Sequence, residues 1–249
     1  MQRGLLRNGY LDALGIDRWV LRNAPGEVLP AHAAAASTAT ATEPPATVQR
    51  ASPASAPLTF EPSADWGELR ERVAACTACD LCKTRTQTVF GVGDTRAEWL
   101  VIGEAPGAEE DRQGEPFVGA AGQLLNAMLL AIGLPRESVF IANMLKCRPP
   151  GNRDPKPEEA ARCRPFLENQ IALLKPKIIL VVGRIAAQNL LATDSPLGRL
   201  RGKLHHFGAA RTPLVATYHP AYLLREPAQK RKAWEDLKFA RATYAALGS

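Results

Sequence analysis

Glu104, Asn143 and His219 place a carboxylate, an amide and an imidazole at the ends of three apolar runs. Such groups move protons and form directed hydrogen bonds, which serve acid–base chemistry and the recognition of polar ligands. Trp99-Leu-Val-Ile102 runs into Gly103, Glu104, Ala105, Pro106 and Gly107, and Val139-Phe-Ile-Ala142 delivers Asn143. Pro213-Leu-Val-Ala-Thr-Tyr218 delivers His219 ahead of Pro220, and a further run, Lys177-Ile-Ile-Leu-Val-Val182, delivers Gly183. Apolar runs of this length that stop at Gly, Asn or Pro read as buried strands ending in tight turns.

Thiols form a second constellation. Cys76-Thr-Ala-Cys79-Asp-Leu-Cys82 is joined by the remote Cys147 and Cys163. Four thiolates drawn from one C-x2-C and two distant loops suit a tetrahedral zinc ion or a four-cysteine iron–sulfur cluster equally well. Spacing does not decide which of Cys76, Cys79 and Cys82 is the odd one. Lys146-Cys-Arg-Pro-Pro-Gly-Asn-Arg-Asp-Pro-Lys156 is stiff, basic and without apolar periodicity. A metal bound at Cys147 and Cys163 would fix the shape of that loop, a structural role suited to phosphate contacts.

Between the apolar runs lie helical patterns, expected over about residues 120–132, 157–174, 183–191 and 228–246. Strands that alternate with helices pair in parallel. The expected fold is α/β: a three-layer α/β/α sandwich around a mainly parallel four-stranded sheet, with a disordered N-terminal extension. Ligands bind outside the carboxyl ends of such strands, so Glu104, Asn143 and His219 are expected to share one crevice. Phe117, in Gly114-Glu-Pro-Phe-Val-Gly119, sits in a Gly- and Pro-bounded loop. Its ring is either presented to a ligand or plugs the core beneath the loop.

The 249 residues carry a formal net charge of +6, which favours an acidic partner. Lys146, Arg148, Arg153, Arg199, Arg201, Lys203 and Arg225 follow strand ends or flank the expected crevice, a clustering that points to nucleic acid. Leu223 and Leu224 beside Arg225 read as a wedge next to a phosphate anchor, or as the first buried turn of a helix. No run approaches the roughly 18 apolar residues of a membrane span, and the N-terminus lacks a signal-peptide core, so a cytoplasmic, nucleoid-associated monomer is expected.

The domain organisation is expected to be a short amphipathic peptide at 1–24, an Ala/Ser/Thr/Pro linker at 25–63 and the catalytic domain at 64–249. Residues 14–22 resemble the N-terminal peptide of the psi subunit of bacterial clamp loaders. That likeness implies a docking segment, residues 10–22, for a replication or repair protein; the plainer alternative is a helix packed back on the domain.

Gly103-Glu-Ala-Pro-Gly107, Pro116-Phe-Val-Gly119, Ala142-Asn143, Lys146-Cys-Arg-Pro-Pro150 and His219-Pro-Ala-Tyr-Leu-Leu-Arg225 occur in order with compatible separations. In this combination, residues 76 to about 240 resemble the family 4, iron–sulfur uracil-DNA glycosylases. The resemblance implies 4Fe-4S ligation by Cys76, Cys79, Cys147 and Cys163, with Cys82 spare. It also implies a uracil pocket of Gly103, Phe117, Asn143 and His219, with Glu104 and His219 catalytic. Phe117 would stack on the extruded base, Asn143 would pair with uracil O4 and N3–H, His219 would donate to O2, and Glu104 would position the attacking water. Asp111 is a reserve acid, and Glu110 is a candidate for excluding the thymine methyl. DNA-contact candidates are Lys146, Arg148, Arg153, Arg201, Lys203, Leu223, Leu224 and Arg225. The competing readings are a non-catalytic lesion-binding module on the same fold and a nucleotide-binding oxidoreductase with a zinc ribbon; the latter lacks a G-x-G-x-x-G after the first run.

Overall fold

Every residue of strands β2 (Trp99–Gly103), β3 (Phe140–Asn143) and β4 (Ile178–Val182) is buried, which a sheet achieves only when both faces are covered. The computed structural model describes residues 61–247. Alternation along the strands sends Leu100, Ile102, Ile179 and Val181 to one face. There they meet Leu69 of α1 (Trp66–Ala74), Leu167 of α4 (Pro157–Leu174) and Ala187 of α5 (Arg184–Leu191). Trp99, Val101, Leu180 and Val215 face the other way, onto Leu125 of α3 (Ala120–Leu130), Leu223 of α7 (Pro220–Arg225) and Leu237 of α8 (Lys230–Ala246). The three expected layers are present.

The sheet has six strands in the order β1-β3-β2-β4-β6-β5, where β1 is Val92–Gly93, β5 is Leu204–Phe207 and β6 is Thr212–Thr217. The expected four strands are its parallel centre, β3-β2-β4-β6. Both additional strands are antiparallel edges. Neither forms an apolar run: β1 is two residues long and contains a glycine, and β5 reads Leu-His-His-Phe with only Phe207 buried. His205 and His206 thus belong to a hairpin with β6, and His205 Nε2 lies 2.7 Å from the Leu200 carbonyl, where α6 (Leu197–Leu200) ends.

Local signals explain the helix ends. The Asp65 carboxylate accepts from the Glu68 amide at 2.9 Å and caps α1. In α4, Pro157 occupies the first turn and Glu159 reaches back to the Lys156 amide at 2.9 Å. The stretch after Gly107 forms a short helix α2 (Ala108–Gln113) closed by Gly114 at φ 80°; six residues are too few for a readable periodicity. Ser63, at the end of the expected linker, is buried, and its amide donates to Asn169 Oδ1 of α4 at 2.7 Å. The expected peptide at 1–24 and the linker up to residue 60 lie outside the described residues.

Candidate active site and thiol cavity

Gly103 and Asn143 are register partners at the carboxyl ends of β2 and β3. Pairing continues one step further, with the Met144 amide donating to the Gly103 carbonyl at 2.9 Å and the Leu145 amide to the Glu104 carbonyl at 3.0 Å. Glu104 and Asn143 are therefore held side by side. Gly183, after β4, donates its amide to the Thr217 carbonyl at 2.9 Å, which carries the chain from β6 into His219. Gly183 has φ 101°, and a Cβ there would stand 3.2 Å from the His219 side chain. All three groups line one cleft of about 410 Å³ together with Phe117, Glu110, Arg153, Tyr222 and Arg225.

Each side chain is tuned. Burial, reinforced by the Asp154 charge and opposed by Arg184, pushes the Glu104 carboxyl up to about 7, a value suited to proton transfer near neutrality. Burial and the Arg225 charge pull His219 down to about 4, so its ring is neutral at physiological pH. His219 also caps α7: its Nδ1 accepts from the Ala221 amide at 3.1 Å. A neutral ring that accepts at Nδ1 carries its proton on Nε2. Asn143 is 2% exposed, and its Oδ1 is buried without a hydrogen-bond partner. A buried unpaired acceptor costs about 1–3 kcal/mol, a cost that a ligand N–H would remove.

Phe117 is buried, holds φ 56°, and stacks on His219 with ring centroids 5.6 Å apart and planes 29° apart. The alternatives left by the sequence thus merge, since the buried ring also lines the cleft. Gly103 is what admits it: a Cβ at that position would lie 2.4 Å from Asn143 Oδ1 and 2.6 Å from Phe117 Cζ. Glu110 accepts from the Gly107, Val118 and Gly119 amides at 3.1, 3.0 and 3.2 Å, and so ties the loop of Phe117 to the start of α2. Asp111, the reserve acid, lies outside the cleft lining; both its oxygens accept from the Thr86 amide.

Behind the β3 end lies a second, narrow cavity lined by Cys76, Cys79, Cys147 and Cys163 and also by Cys82. Among the described residues no group of three or more His, Cys, Asp or Glu is gathered as tightly as one metal ion requires. The donors suit thiolate sulfur: Arg85 Nη1 donates to Cys147 Sγ at 3.0 Å and the Lys146 amide to Cys163 Sγ at 3.2 Å. As free thiols they are deeply desolvated, and burial pushes Cys163 up to about 12.

Three of the expected DNA-contact residues are engaged within the fold. Lys146 is 1% exposed, with its ammonium donating to the Asn143 carbonyl at 2.8 Å and Gln170 Oε1 at 2.6 Å, because the chain turns inward to bring Cys147 to the cavity. Leu223 is 1% exposed, forming the first buried turn of α7 against the sheet. Arg201 is tied to Asp236, with Nε 2.9 Å from Oδ2, and its guanidinium lies over Tyr218, so it serves the packing of α8 on β6. Arg225 is exposed and lines the cleft, Leu224 beside it is exposed, and Lys203 is exposed in the turn before β5. Arg153 lines the cleft wall with its guanidinium forked onto Glu159 at 2.8 and 2.6 Å, and Arg148 Nε holds Asn152 Oδ1 at 2.7 Å. Arg85, Arg136 and Gln170, all tied to functional groups, escaped notice in the sequence because isolated polar residues carry no spacing signal.

Comparison with known proteins identifies the family to which this sandwich belongs. Residues 90–238 match the model of the uracil DNA glycosylase superfamily, and the chain belongs to that superfamily. Within it, the chain is 44% identical over 177 residues to the Type-4 uracil-DNA glycosylase of Archaeoglobus fulgidus, covering 69% of this chain and 89% of the relative. Its likeness to the Type-4 enzyme of Thermotoga maritima is 40% over 176 residues, or 69% and 91% of the two chains. The Type-5 uracil-DNA glycosylase of Thermus thermophilus is more distant, at 34% over 153 residues and 53% of this chain.

Proposed function

We propose that this chain removes uracil from DNA by hydrolysing its N-glycosidic bond, leaving an abasic site, and so starts base excision repair. The buried, unpartnered Oδ1 of Asn143 carries this reading. Uracil offers N3–H to that oxygen and O4 to the amide nitrogen, whereas cytosine presents the opposite pattern. A base stacked inside a duplex cannot enter the cleft, so the nucleotide is flipped out, at a cost of a few kcal/mol that is smaller at a mismatch. Phe117 then stacks on the ring.

As the C1′–N1 bond breaks, its electron pair goes to the uracil and positive charge builds on the sugar. His219, neutral and protonated on Nε2, donates to O2 of the leaving anion; preorganised donors of this kind are usually the largest catalytic contribution. Glu104 in its ionised form orients the water, takes its proton as oxygen bonds to C1′, and stabilises the sugar cation. Arg148, Arg153, Lys203, Leu224 and Arg225 are the surface groups for the DNA strands. Acting on chromosomal DNA would place the protein, as a monomer, at the nucleoid.

Cys76, Cys79, Cys147 and Cys163 would hold a 4Fe-4S cluster, with Cys82 as the spare thiol. Such a cluster supplies a covalent cross-link between the turn after α1, the β3 exit and α4, and no step of hydrolysis needs it. The test is alkaline strand scission of an oligonucleotide with a single uracil, beside a thymine control and His219→Ala. Scission at uracil alone, strongly reduced in the variant, is expected. Retained DNA binding without scission by brown, iron-loaded protein would favour a lesion-binding module instead.

A further inference from the structure

Phe117 occupies a backbone conformation that an aromatic residue does not choose by itself, with φ 56°. Something must hold it there, and the peptide on either side is gripped from two directions. Glu110 takes the amides of Val118 and Gly119 from the cleft side. From behind, outside the cleft lining, Arg136 Nη2 donates to the Pro116 carbonyl at 2.7 Å and Nη1 to the Phe117 carbonyl at 3.3 Å. Nη1 also donates to Asn126 Oδ1 of α3 at 3.0 Å, which fixes the plane of the guanidinium. Close packing leaves the Phe117 carbonyl little other room, for a Cβ at Gly122 would fall 1.8 Å from that oxygen.

We infer that Arg136 is a positioning residue for base recognition: by forking onto the Pro116 and Phe117 carbonyls it holds the stacking ring at the angle the flipped base requires. The guanidinium suits the task because its rigid planar fork fixes the directions of both bonds, whereas the donors of an ammonium rotate on a flexible stem. Arg136 stands in the short turn Arg136–Ser138, directly before β3, the strand that ends in Asn143. The ring that stacks on the base and the amide that reads its edge are thus referenced to the same strand. A loop left without the fork would relax Phe117 toward ordinary φ and swing the ring off the base plane. The effect would fall on the base and not on the DNA backbone, since Arg136 lies behind the loop.

This inference rests on the uracil-excision reading, and its test separates the two. Inhibition by free uracil and affinity for abasic-site DNA are measured for iron-loaded wild type, Arg136→Met, Arg136→Lys and Asn126→Ala. Base stacking sets the scale, so Arg136→Met should weaken uracil inhibition about tenfold while abasic-DNA affinity stays within about twofold. Arg136→Lys should recover part of the loss, and Asn126→Ala should show a smaller loss of the same selective kind. If Arg136→Met does not fold, Asn126→Ala carries the comparison, because it frees the guanidinium without orphaning the carbonyls. Unchanged uracil inhibition in the folded variants, or a parallel fall in both affinities, overturns the role of Arg136 and leaves the excision reading standing. A wild type that neither excises uracil nor is inhibited by it overturns both.

Discussion

The Ala221 amide donates to His219 Nδ1 at 3.1 Å, and this bond decides which face of the imidazole can serve as a donor in the cleft. Under the proposed mechanism, helix capping and leaving-group stabilisation would be two uses of one ring. Removing it with His219→Ala should lower kcat by about 10²–10³-fold, the scale of losing one preorganised donor. His219→Gln keeps a donor and should lie between the two. Single-turnover excision of uracil measures both, and equal rates for wild type and His219→Ala would remove His219 from the chemistry.

Glu104 should set the acid limb of the pH profile. Its carboxyl is pushed up to about 7, so below that pH the protonated form predominates and the base is lost, while His219, pulled down to about 4, is neutral throughout this range. The sign is therefore a rate that falls as pH drops through about 7, close to tenfold for each unit further down. Glu104→Gln should be slow and nearly flat with pH. A wild-type profile that is level from neutrality down to the ordinary carboxylate range would rule out Glu104 as the base.

Asn143 sets stability against function. Its Oδ1 is buried and unpartnered, so under the proposed mechanism the residue would destabilise the free protein until a base arrives. Asn143→Ala should lower kcat/KM on uracil by about 10–100-fold, the value of a bidentate base contact, while Tm stays level or rises. A clear fall in Tm would mean that the amide is satisfied in the free protein.

Much of this arrangement was legible in the residues. The parallel centre and the convergence of Glu104, Asn143 and His219 followed from apolar runs that end in turn residues, because burial on both faces leaves a continuous hydrophobic signature. The edge strands escaped because Val92–Gly93 and Leu204–Phe207 are held by backbone pairing and not by apolar side chains. The burial of Lys146 is illegible for a related reason. Charge in a sequence reads as surface, and nothing local reveals that Gln170, from the distant α4, supplies an acceptor for a buried ammonium. Leu223 and Leu224 are adjacent, yet the helical turn buries one and exposes the other, a choice set by the phase of α7 against the sheet.

Gly103→Ala should uncouple site from fold. The strand backbone at Gly103 tolerates alanine, but the added Cβ would press within 2.4 Å of Asn143 Oδ1 and 2.6 Å of the Phe117 ring. Uracil excision should fall by more than about tenfold through loss of base affinity, with the circular dichroism spectrum and the brown colour kept. An active Gly103→Ala enzyme would show that Phe117 and Asn143 need not approach so closely.

If the thiol cavity holds iron and Asn143 reads the base, as proposed, iron removal should reach that amide through Lys146. The amide of Lys146 donates to Cys163 Sγ at 3.2 Å, while its ammonium holds the Asn143 carbonyl at 2.8 Å, so one residue touches both the thiol cavity and the strand end that carries Asn143. Chelating the iron after oxidation should therefore speed hydrogen exchange at residues 144–147, expose the basic loop at 146–156 to protease, and weaken inhibition by free uracil. The β4 and β6 strands, packed between helices on both faces, should keep their protection. Lys146→Met in iron-loaded protein should weaken uracil inhibition while retaining colour, which places the link at the ammonium and not at the metal itself. If iron-free protein binds uracil as well as the brown form does, the thiol cavity and the base pocket are independent, and Lys146 serves packing alone.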